Sequence, residues 1–149
     1  MAHSRRDQER LGIDTSVLVA YLDKDHPSHK RTEWLSRESV ALNPTIIHEA
    51  YHTLVFKMKW RARDASRVLV EASTDERNLF INQTLTTTRV GLDIATRYQL
   101  GGRDALIAAN FLAAGIAELV TLDEELIALK KIAYGKRALT IRPPSRPSA

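Results

Sequence analysis

The stretch LGIDTSVLVAYL, residues 11–22, joins two apolar segments through a single carboxylate, Asp14. Leu11 and Ile13 are typical of the end of a buried strand, whereas the apolar residues from Val17 to Leu22 indicate the start of a packed helix. A strand that leads directly into a helix is typical of α/β folds. The stretch therefore predicts such a fold and places Asp14 where the first strand ends.

Strands and helices continue to alternate along the chain. Strands are predicted at residues 11–14, 39–42, 78–82, 118–122 and 138–142, and helices at 16–23, 28–37, 45–58, 62–73, 86–98, 103–114 and 123–131. Alternating elements imply a parallel sheet that is covered by helices on both faces. We therefore expect an α/β fold, a three-layer α/β/α sandwich with a central parallel sheet.

The composition limits the class of protein. The chain of 149 residues fits one domain, and its lack of cysteine excludes disulfides, thiol catalysis and cysteine-bound zinc. Because no apolar run is long enough to cross a bilayer and the N-terminus MAHSRRDQER is polar, we expect a cytoplasmic protein. The net charge of +4 favours an anionic partner. We expect a disordered leader or tag remnant at 1–10, one domain at 11–142 and a flexible tail at 143–149.

Four acidic residues fall at one predicted edge of the sheet. Asp14 follows the first strand, Glu49 lies early in the helix after the second, Asp104 opens the helix DALIAANFLAAG, and Asp123 follows the strand ELVTL. Ligands bind beyond the carboxyl ends of strands in such sheets. Taken singly, each acid is also explained as a helix cap, as a charge at the positive end of a helix, or as a solvated residue.

Taken together, the four acids predict a metal site. Clustered carboxylates repel one another, and a divalent cation offsets that repulsion. Ligation by carboxylate oxygens alone suits Mg²⁺ or Mn²⁺ rather than zinc. Such ions polarise a phosphoryl oxygen and activate a water molecule for phosphodiester hydrolysis. Together with the basic net charge, the cluster predicts a metal-dependent nuclease.

Four sequence blocks resemble the motifs of the PIN domain family, particularly the VapC-type toxin ribonucleases: GIDTSVLVAYL, the Glu49 helix, GRDALIAANFLAAG and VTLDEEL. The blocks occur in the family's order, and the resemblance covers residues 11–142. It implies a Mg²⁺- or Mn²⁺-dependent endoribonuclease whose metal-binding and catalytic residues are Asp14, Glu49, Asp104 and Asp123. It also implies that Ser16 or Thr15 holds a metal-bound water, with Ser16 closer to the family's pattern, and that Thr121 supports the site.

The resemblance further implies partners. It indicates an RNA substrate, a homodimer and a small cognate antitoxin whose C-terminal segment lies over the site. Two features depart from the family's pattern: a polar leader precedes the first strand, and the fourth block continues as Asp123-Glu124-Glu125. The second feature leaves open which acid faces the metal. An RNA-processing PIN nuclease without an antitoxin and a PIN-like binding module without turnover are alternatives.

Histidine motifs suggest a competing chemistry. The segment HEAYH, residues 48–52, spells H-E-x-x-H, the zinc peptidase signature, with Glu71 as a conceivable third ligand. A peptidase does not explain Asp14, Asp104 and Asp123 together, so we favour two partly buried histidines at the edge of a helix interface. The segment HPSH, residues 26–29, is assigned to the start of a helix rather than to a metal site.

Basic residues near the predicted site are candidates for RNA contact. The segment KMKWRAR, residues 57–63, alternates basic and apolar side chains, and its candidate contacts are Lys57, Lys59 and Arg61. A solvated corner between two helices explains the same pattern equally well. Arg103 either contacts a phosphate or pairs with a neighbouring acid.

Overall fold

The computed structural model describes residues 10–145 and confirms the α/β class. The strands are β1 (Leu11–Ile13), β2 (Val40–Leu42), β3 (Leu79–Phe80), β4 (Glu118–Val120), β5 (Lys131–Tyr134) and β6 (Arg137–Arg142). The helices are α1 (Thr15–Leu22), α2 (His29–Thr32), α3 (Pro44–His52), α4 (Ala62–Thr74), α5 (Leu85–Tyr98), α6 (Gly102–Ala113) and α7 (Glu124–Leu129). A 3₁₀ segment (Glu33–Arg37) follows α2, and a π-helical turn (Thr53–Lys57) follows α3.

The strands form one sheet, flanked by helices, in the order β3-β2-β1-β4-β6-β5. The central strand β1 is parallel to both neighbours, with Gly12 opposite Ala41 of β2 and Leu119 of β4. β6 is parallel to β4, whereas β5 at the edge is antiparallel to β6. From β1 the chain builds the sheet outward through β2 and β3, and then returns to add β4 on the other side. The sheet therefore reverses its strand order between β1 and β4.

The ends of the chain lie partly outside the described residues. Residues 1–9 of the predicted leader and residues 146–149 of the predicted tail are the parts that lie outside. Within the described part of the tail, the carbonyl oxygen of Pro144 accepts a hydrogen bond from Trp34 Nε1 at 2.7 Å. Between residues 10 and 145, no helix is long and apolar enough to span a membrane.

Strand β5 was not predicted. The helix predicted over 123–131 ends at Leu129, Lys130 adopts a positive φ of 67°, and β5 then pairs with β6 across a turn at Gly135. Only Ile132 of its four residues is buried. An edge strand this short shows too little alternation of polar and apolar residues to be distinguished, in the sequence, from the end of a helix.

Two predicted helices are divided in the structure. The helix predicted over 28–37 becomes α2 and the 3₁₀ segment, and the one over 45–58 becomes α3 and the π-helical turn. In the latter, the Met58 N–H donates to the Thr53 carbonyl oxygen at 2.9 Å, which widens the backbone by one residue. Apolar spacing does not resolve such local changes in helix type.

Gly12 allows α6 to approach the central strand closely. A Cβ at this position would lie 2.6 Å from Cδ2 and Cε2 of Phe111 and 3.1 Å from the Glu118 carbonyl oxygen. Phe111 is fully buried and the carbonyl belongs to the neighbouring strand, so neither has space to move. We expect Gly12→Ala to lower the free energy of unfolding by about 1–3 kcal/mol in urea denaturation. Gly101→Ala is the control, because its Cβ would meet nothing within 4 Å; equal losses in both variants would contradict the steric explanation.

Candidate active site

A cleft of about 510 Å³ lies beyond the carboxyl ends of β1 and β4. It is lined by Asp14, Thr15, Ser16, Val19, His26, Ser28, Glu49, Thr53, Asp104, Ile107, Leu122 and Asp123. The structure thus brings the four predicted acids to one cleft. The position follows from the topology, because α/β sheets bind ligands where the strand order reverses.

Asp14 is a buried carboxylate, with a relative exposure of 6%, and it caps α1. Its Oδ1 accepts hydrogen bonds from Ser16 Oγ at 2.6 Å and from the Val17 N–H at 3.2 Å, while its Oδ2 accepts one from the Thr121 hydroxyl. Burial raises the pKa of Asp14 above its ordinary value, although these three hydrogen bonds oppose the rise. The helix cap and the cleft carboxylate are therefore the same group.

Two hydroxyls hold the ends of β1 and β4 together. Thr121 Oγ1 donates to Asp14 and accepts a hydrogen bond from the Asp123 N–H at 3.0 Å. Ser16 Oγ donates to Asp14 and accepts from the Leu122 N–H at 3.1 Å. Thr121 is fully buried beneath the cleft, where it supports Asp14 directly. Both hydroxyls donate their hydrogen bond to the carboxylate of Asp14, which fixes the orientation of that side chain.

Glu49 is the second acid of the cleft, on α3. Its Oε2 lies 3.2 Å from Arg103 Nη1. Burial raises the pKa of Glu49, Arg103 lowers it, and the negative charge of Asp104 raises it further. The Thr15 hydroxyl is buried without a hydrogen bond of good geometry, yet it lies close enough to Glu49 to lower the pKa of that carboxyl. The side chain of Arg103 is 77% exposed, so solvent screens its ion pair.

Asp104 and Asp123 occupy the starts of α6 and α7. Burial raises the pKa of Asp104, and the negative charges of Asp123 and Glu125 raise it further. Asp123 caps α7, because its Oδ1 accepts from the N–H groups of Glu125 at 2.9 Å and Leu126 at 3.3 Å. Asp123 lines the cleft, whereas Glu124 and Glu125 are exposed outside its lining. The geometry therefore favours Asp123 among the three consecutive acids.

The donor set of the cleft fits a hard divalent cation. Apart from His26, the ionisable side chains that line it are carboxylic acids. Charge repulsion among the acids contributes to the raised pKa values of Asp14, Glu49 and Asp104. Oxygen ligands of this kind suit Mg²⁺ and Mn²⁺. Across residues 10–145, however, no three His, Asp or Glu side chains already share a position that could hold one ion. The acids fit a cation in their chemistry and would have to close around it.

The histidines of the H-E-x-x-H motif do not line this cleft. His48 and His52 are both exposed, and the His52 ring lies 5.0 Å from that of Phe56. Glu71 lies 3.5 Å from Arg67 and borders a separate cavity. The expectation of two partly buried histidines is wrong, because this face of α3 is open to solvent. Within the described residues, the motif forms no zinc site.

The remaining candidates divide between the cleft and the surface. Lys57, Lys59 and Arg61 are exposed on the segment after α3 and do not line the cleft. His26 and Ser28 do line it, although the sequence assigned them to the start of a helix. That assignment is confirmed, because Ser28 is the N-cap of α2 and His29 is its first residue. Nothing in the local sequence indicates that the loop before α2 reaches the acids.

Solved structures with the same fold share little sequence with this chain. VapC20 of Mycobacterium tuberculosis, described as a sarcin-ricin loop cleaving toxin, has a TM-score of 0.67 and 15% identity, over 76% of this chain and 90% of that one. A chain of VapBC2 from Rickettsia felis, bound to promoter DNA, has a TM-score of 0.61 and 17% identity, over 89% of this chain and 98% of that one. A chain of DNA-bound VapBC from Salmonella typhimurium has a TM-score of 0.60 and 14% identity, over 91% of this chain and 98% of that one.

The sequence itself matches a family model. The comparison with curated proteins gives no match. The model of the PIN domain, in contrast, matches residues 12–132, which span every segment that supplies an acid to the cleft. The match extends over most of the chain, and the fold and the cleft agree with it. The chain belongs to the PIN domain family.

Proposed function

We propose that this protein is a Mg²⁺- or Mn²⁺-dependent endoribonuclease and the toxin of a type II toxin–antitoxin pair. The observation that carries the activity is the cleft where acids from four separate segments of a PIN domain meet. The likeness to VapC20, whose description names the sarcin-ricin loop as its target, supports RNA as the substrate class. The net charge of +4 also favours a polyanion.

In this proposal Asp14, Glu49, Asp104 and Asp123 hold the cation. When bound, it would polarise a phosphoryl oxygen and lower the pKa of a water molecule. The chain supplies the positioning: Ser16 and Thr121 fix both oxygens of Asp14, and Asp123 is held by the start of α7. In the hydrolysis, the water oxygen bonds to phosphorus, one P–O ester bond breaks and the leaving oxygen takes up a proton.

Cleavage of RNA by the purified protein tests this proposal. We expect cleavage with Mg²⁺ or Mn²⁺ that stops when a chelator is added, and we expect no peptide hydrolysis. The variant with His48→Ala and His52→Ala should cleave RNA within about two-fold of the parent, because both side chains lie outside the cleft. RNA binding without turnover would establish the binding module instead. Loss of a peptidase activity in the double variant would establish the zinc peptidase.

The exposed basic residues are assigned to RNA contact in the same proposal: Arg103 at the cleft, and Lys57, Lys59 and Arg61 on the segment after α3. Each lysine that neutralises a phosphate of single-stranded RNA contributes about 0.7 to the salt dependence of binding. Lys57→Gln with Lys59→Gln should therefore weaken RNA binding and reduce the slope of log K against log salt concentration by about 1.4. Lys131→Gln with Lys136→Gln, two exposed lysines of the β5–β6 hairpin, is the control. Equal slopes in both double variants would contradict the assignment.

The partners in this proposal are a small antitoxin and a second copy of the chain. The structures from Rickettsia felis and Salmonella typhimurium are VapBC assemblies bound to DNA, which supports an antitoxin. An adjoining short reading frame for a DNA-binding protein that blocks RNA cleavage would support the toxin assignment. Its absence would favour an RNA-processing nuclease. Light scattering of the purified protein would test for the homodimer.

A further inference from the structure

His26 lies in the loop between α1 and α2 and lines the acidic cleft, although it belongs to none of the sequence blocks that predict the site. The loop around it is fixed by its own hydrogen bonds. The His26 N–H donates to the Asp23 carbonyl oxygen and the His29 N–H to the His26 carbonyl oxygen, both at 3.0 Å. The Asp25 N–H donates to the Asp23 carboxylate at 3.0 Å. The position of His26 at the cleft is therefore well defined.

The hydrogen bonds of the ring determine what His26 offers to a ligand. Its Nδ1 lies 3.0 Å from the backbone nitrogen of Ser28. A backbone N–H can only donate, so Nδ1 is the acceptor and the proton of the neutral ring is on Nε2. Across residues 10–145, Nε2 has no hydrogen-bond partner. His26 thus presents one unused N–H donor, at Nε2.

That donor is complementary to the rest of the cleft. His26 is the one side chain with an N–H group among those that line it, and four of the others are carboxylic acids. Carboxylates repel a phosphate, whereas an N–H donor binds one of its oxygens. The arrangement therefore suits binding of a phosphate oxygen.

We propose that His26 binds the RNA substrate by donating a hydrogen bond from Nε2 to a non-bridging phosphate oxygen. This inference rests on the proposed nuclease function and adds a substrate-binding residue to it. We assign the contact to a phosphate that does not react. Because the charge of that phosphate is the same before and during the reaction, the contact contributes to substrate binding and leaves the chemical step unchanged. It also needs the loop to keep its backbone hydrogen bonds.

Two substitutions separate the donor from the structural role of the ring. In His26→Asn, the amide oxygen can replace Nδ1 as the acceptor for Ser28, but the donor at Nε2 is lost. In His26→Gln, the longer side chain can place an N–H donor near the position of Nε2. His52→Asn, at an exposed histidine outside the cleft, is the control. The readout is steady-state cleavage of one short single-stranded RNA with Mg²⁺.

We expect His26→Asn to raise KM about ten-fold and to leave kcat within about two-fold of the parent. His26→Gln should stay within about three-fold of the parent in KM, and His52→Asn should not differ from it. In an Asp14→Asn background, where turnover is lost, His26→Asn should weaken binding of the same RNA about ten-fold by fluorescence anisotropy.

Parent-like KM and RNA affinity in His26→Asn would overturn the inference, as would a fall in kcat alone or an equal loss in His26→Gln. In each of these cases the parent still cleaves RNA, so the proposed function stands. A parent protein that neither binds nor cleaves RNA would overturn the proposed function, and the role of His26 with it.

Discussion

Replacing Asp14 by asparagine is expected to reduce RNA cleavage about 10³-fold without unfolding the protein. Asp14 lies where β1 ends, and both of its carboxylate oxygens are held in place by neighbouring hydroxyls. Asparagine has the same shape and is an equally good helix cap, so α1 should be preserved. The substitution removes the negative charge from the cleft and replaces one of the two oxygens that accept a hydroxyl hydrogen bond by an amide NH₂ group. Initial rates of RNA cleavage with Mg²⁺, together with circular dichroism, measure both parts of the prediction.

The same substitution is expected to raise the free energy of unfolding at pH 7 in the absence of divalent cations. Burial raises the pKa of Asp14 in the folded protein above its value in the unfolded chain. The folded state then binds more protons, so stability falls as the pH rises from the unfolded pKa through the folded pKa. Asparagine carries no such penalty. The advantage of Asp14→Asn in urea denaturation should therefore disappear below the ordinary pKa of aspartate.

These two measurements separate a helix cap from a site residue. An Asp14→Asn variant that cleaves RNA like the parent would show that the carboxylate serves only as a cap. A variant that loses both cleavage and stability would show that the carboxylate, with its two hydroxyl hydrogen bonds, is needed for folding. Lower activity with higher stability is the combination that a charged residue in an active site predicts.

Mg²⁺ and Mn²⁺ are expected to stabilise the folded protein at neutral pH. An ion that binds the folded state alone, at about 100 times its Kd, adds about 2.7 kcal/mol to the free energy of unfolding. For a domain of this size the melting temperature should rise by roughly 5–10 °C. The rise should fade as the pH falls through the raised pKa values of Asp14, Glu49 and Asp104, because protonated carboxyls do not bind the ion. Differential scanning fluorimetry across pH measures this effect.

Two carboxylate variants, one inside the cleft and one outside it, test whether the stabilisation by Mg²⁺ and Mn²⁺ is specific. Asp104→Asn should lose most of the rise, since Asp104 raises the pKa of both Asp14 and Glu49 through its charge. Glu71→Gln, at an exposed carboxylate outside the cleft, should respond like the parent. A similar rise in both variants, or one reproduced by potassium at equal ionic strength, would contradict a specific site.

The sequence was sufficient to place the acids because their positions follow from the topology. Asp14 and Asp123 each follow an apolar strand, and the ends of parallel strands meet at one edge of the sheet. The helix α6 was found within one residue at each end, because its apolar residues extend around nearly the whole helix. Periodicity that extends over several turns, or a charge beside a buried strand, can be recognised without tertiary information.

The rest depends on contacts that local sequence does not encode. The loop with His26 reaches the cleft through the packing of α1 and α2, and the choice of Glu49 as the acid that pairs with Arg103 depends on the approach of two separate helices. Residues 131–134 form strand β5 because they pair with β6, and not because of a recognisable pattern in their own sequence. Short segments such as these are determined by their neighbours in space, which is why sequence patterns did not reveal them.

The central claim is that acids from four segments form one site for a divalent cation. Calorimetric titration of Mn²⁺ tests it most directly, because binding is measured without RNA and without turnover. The variants are Asp14→Asn, Glu49→Gln, Asp104→Asn and Asp123→Asn, with Glu71→Gln as the control. We predict that the parent and the control bind Mn²⁺ equally and that each of the four variants binds it at least about ten-fold more weakly. Mn²⁺ binding that is absent in the parent, or unchanged in all four variants, would contradict the account.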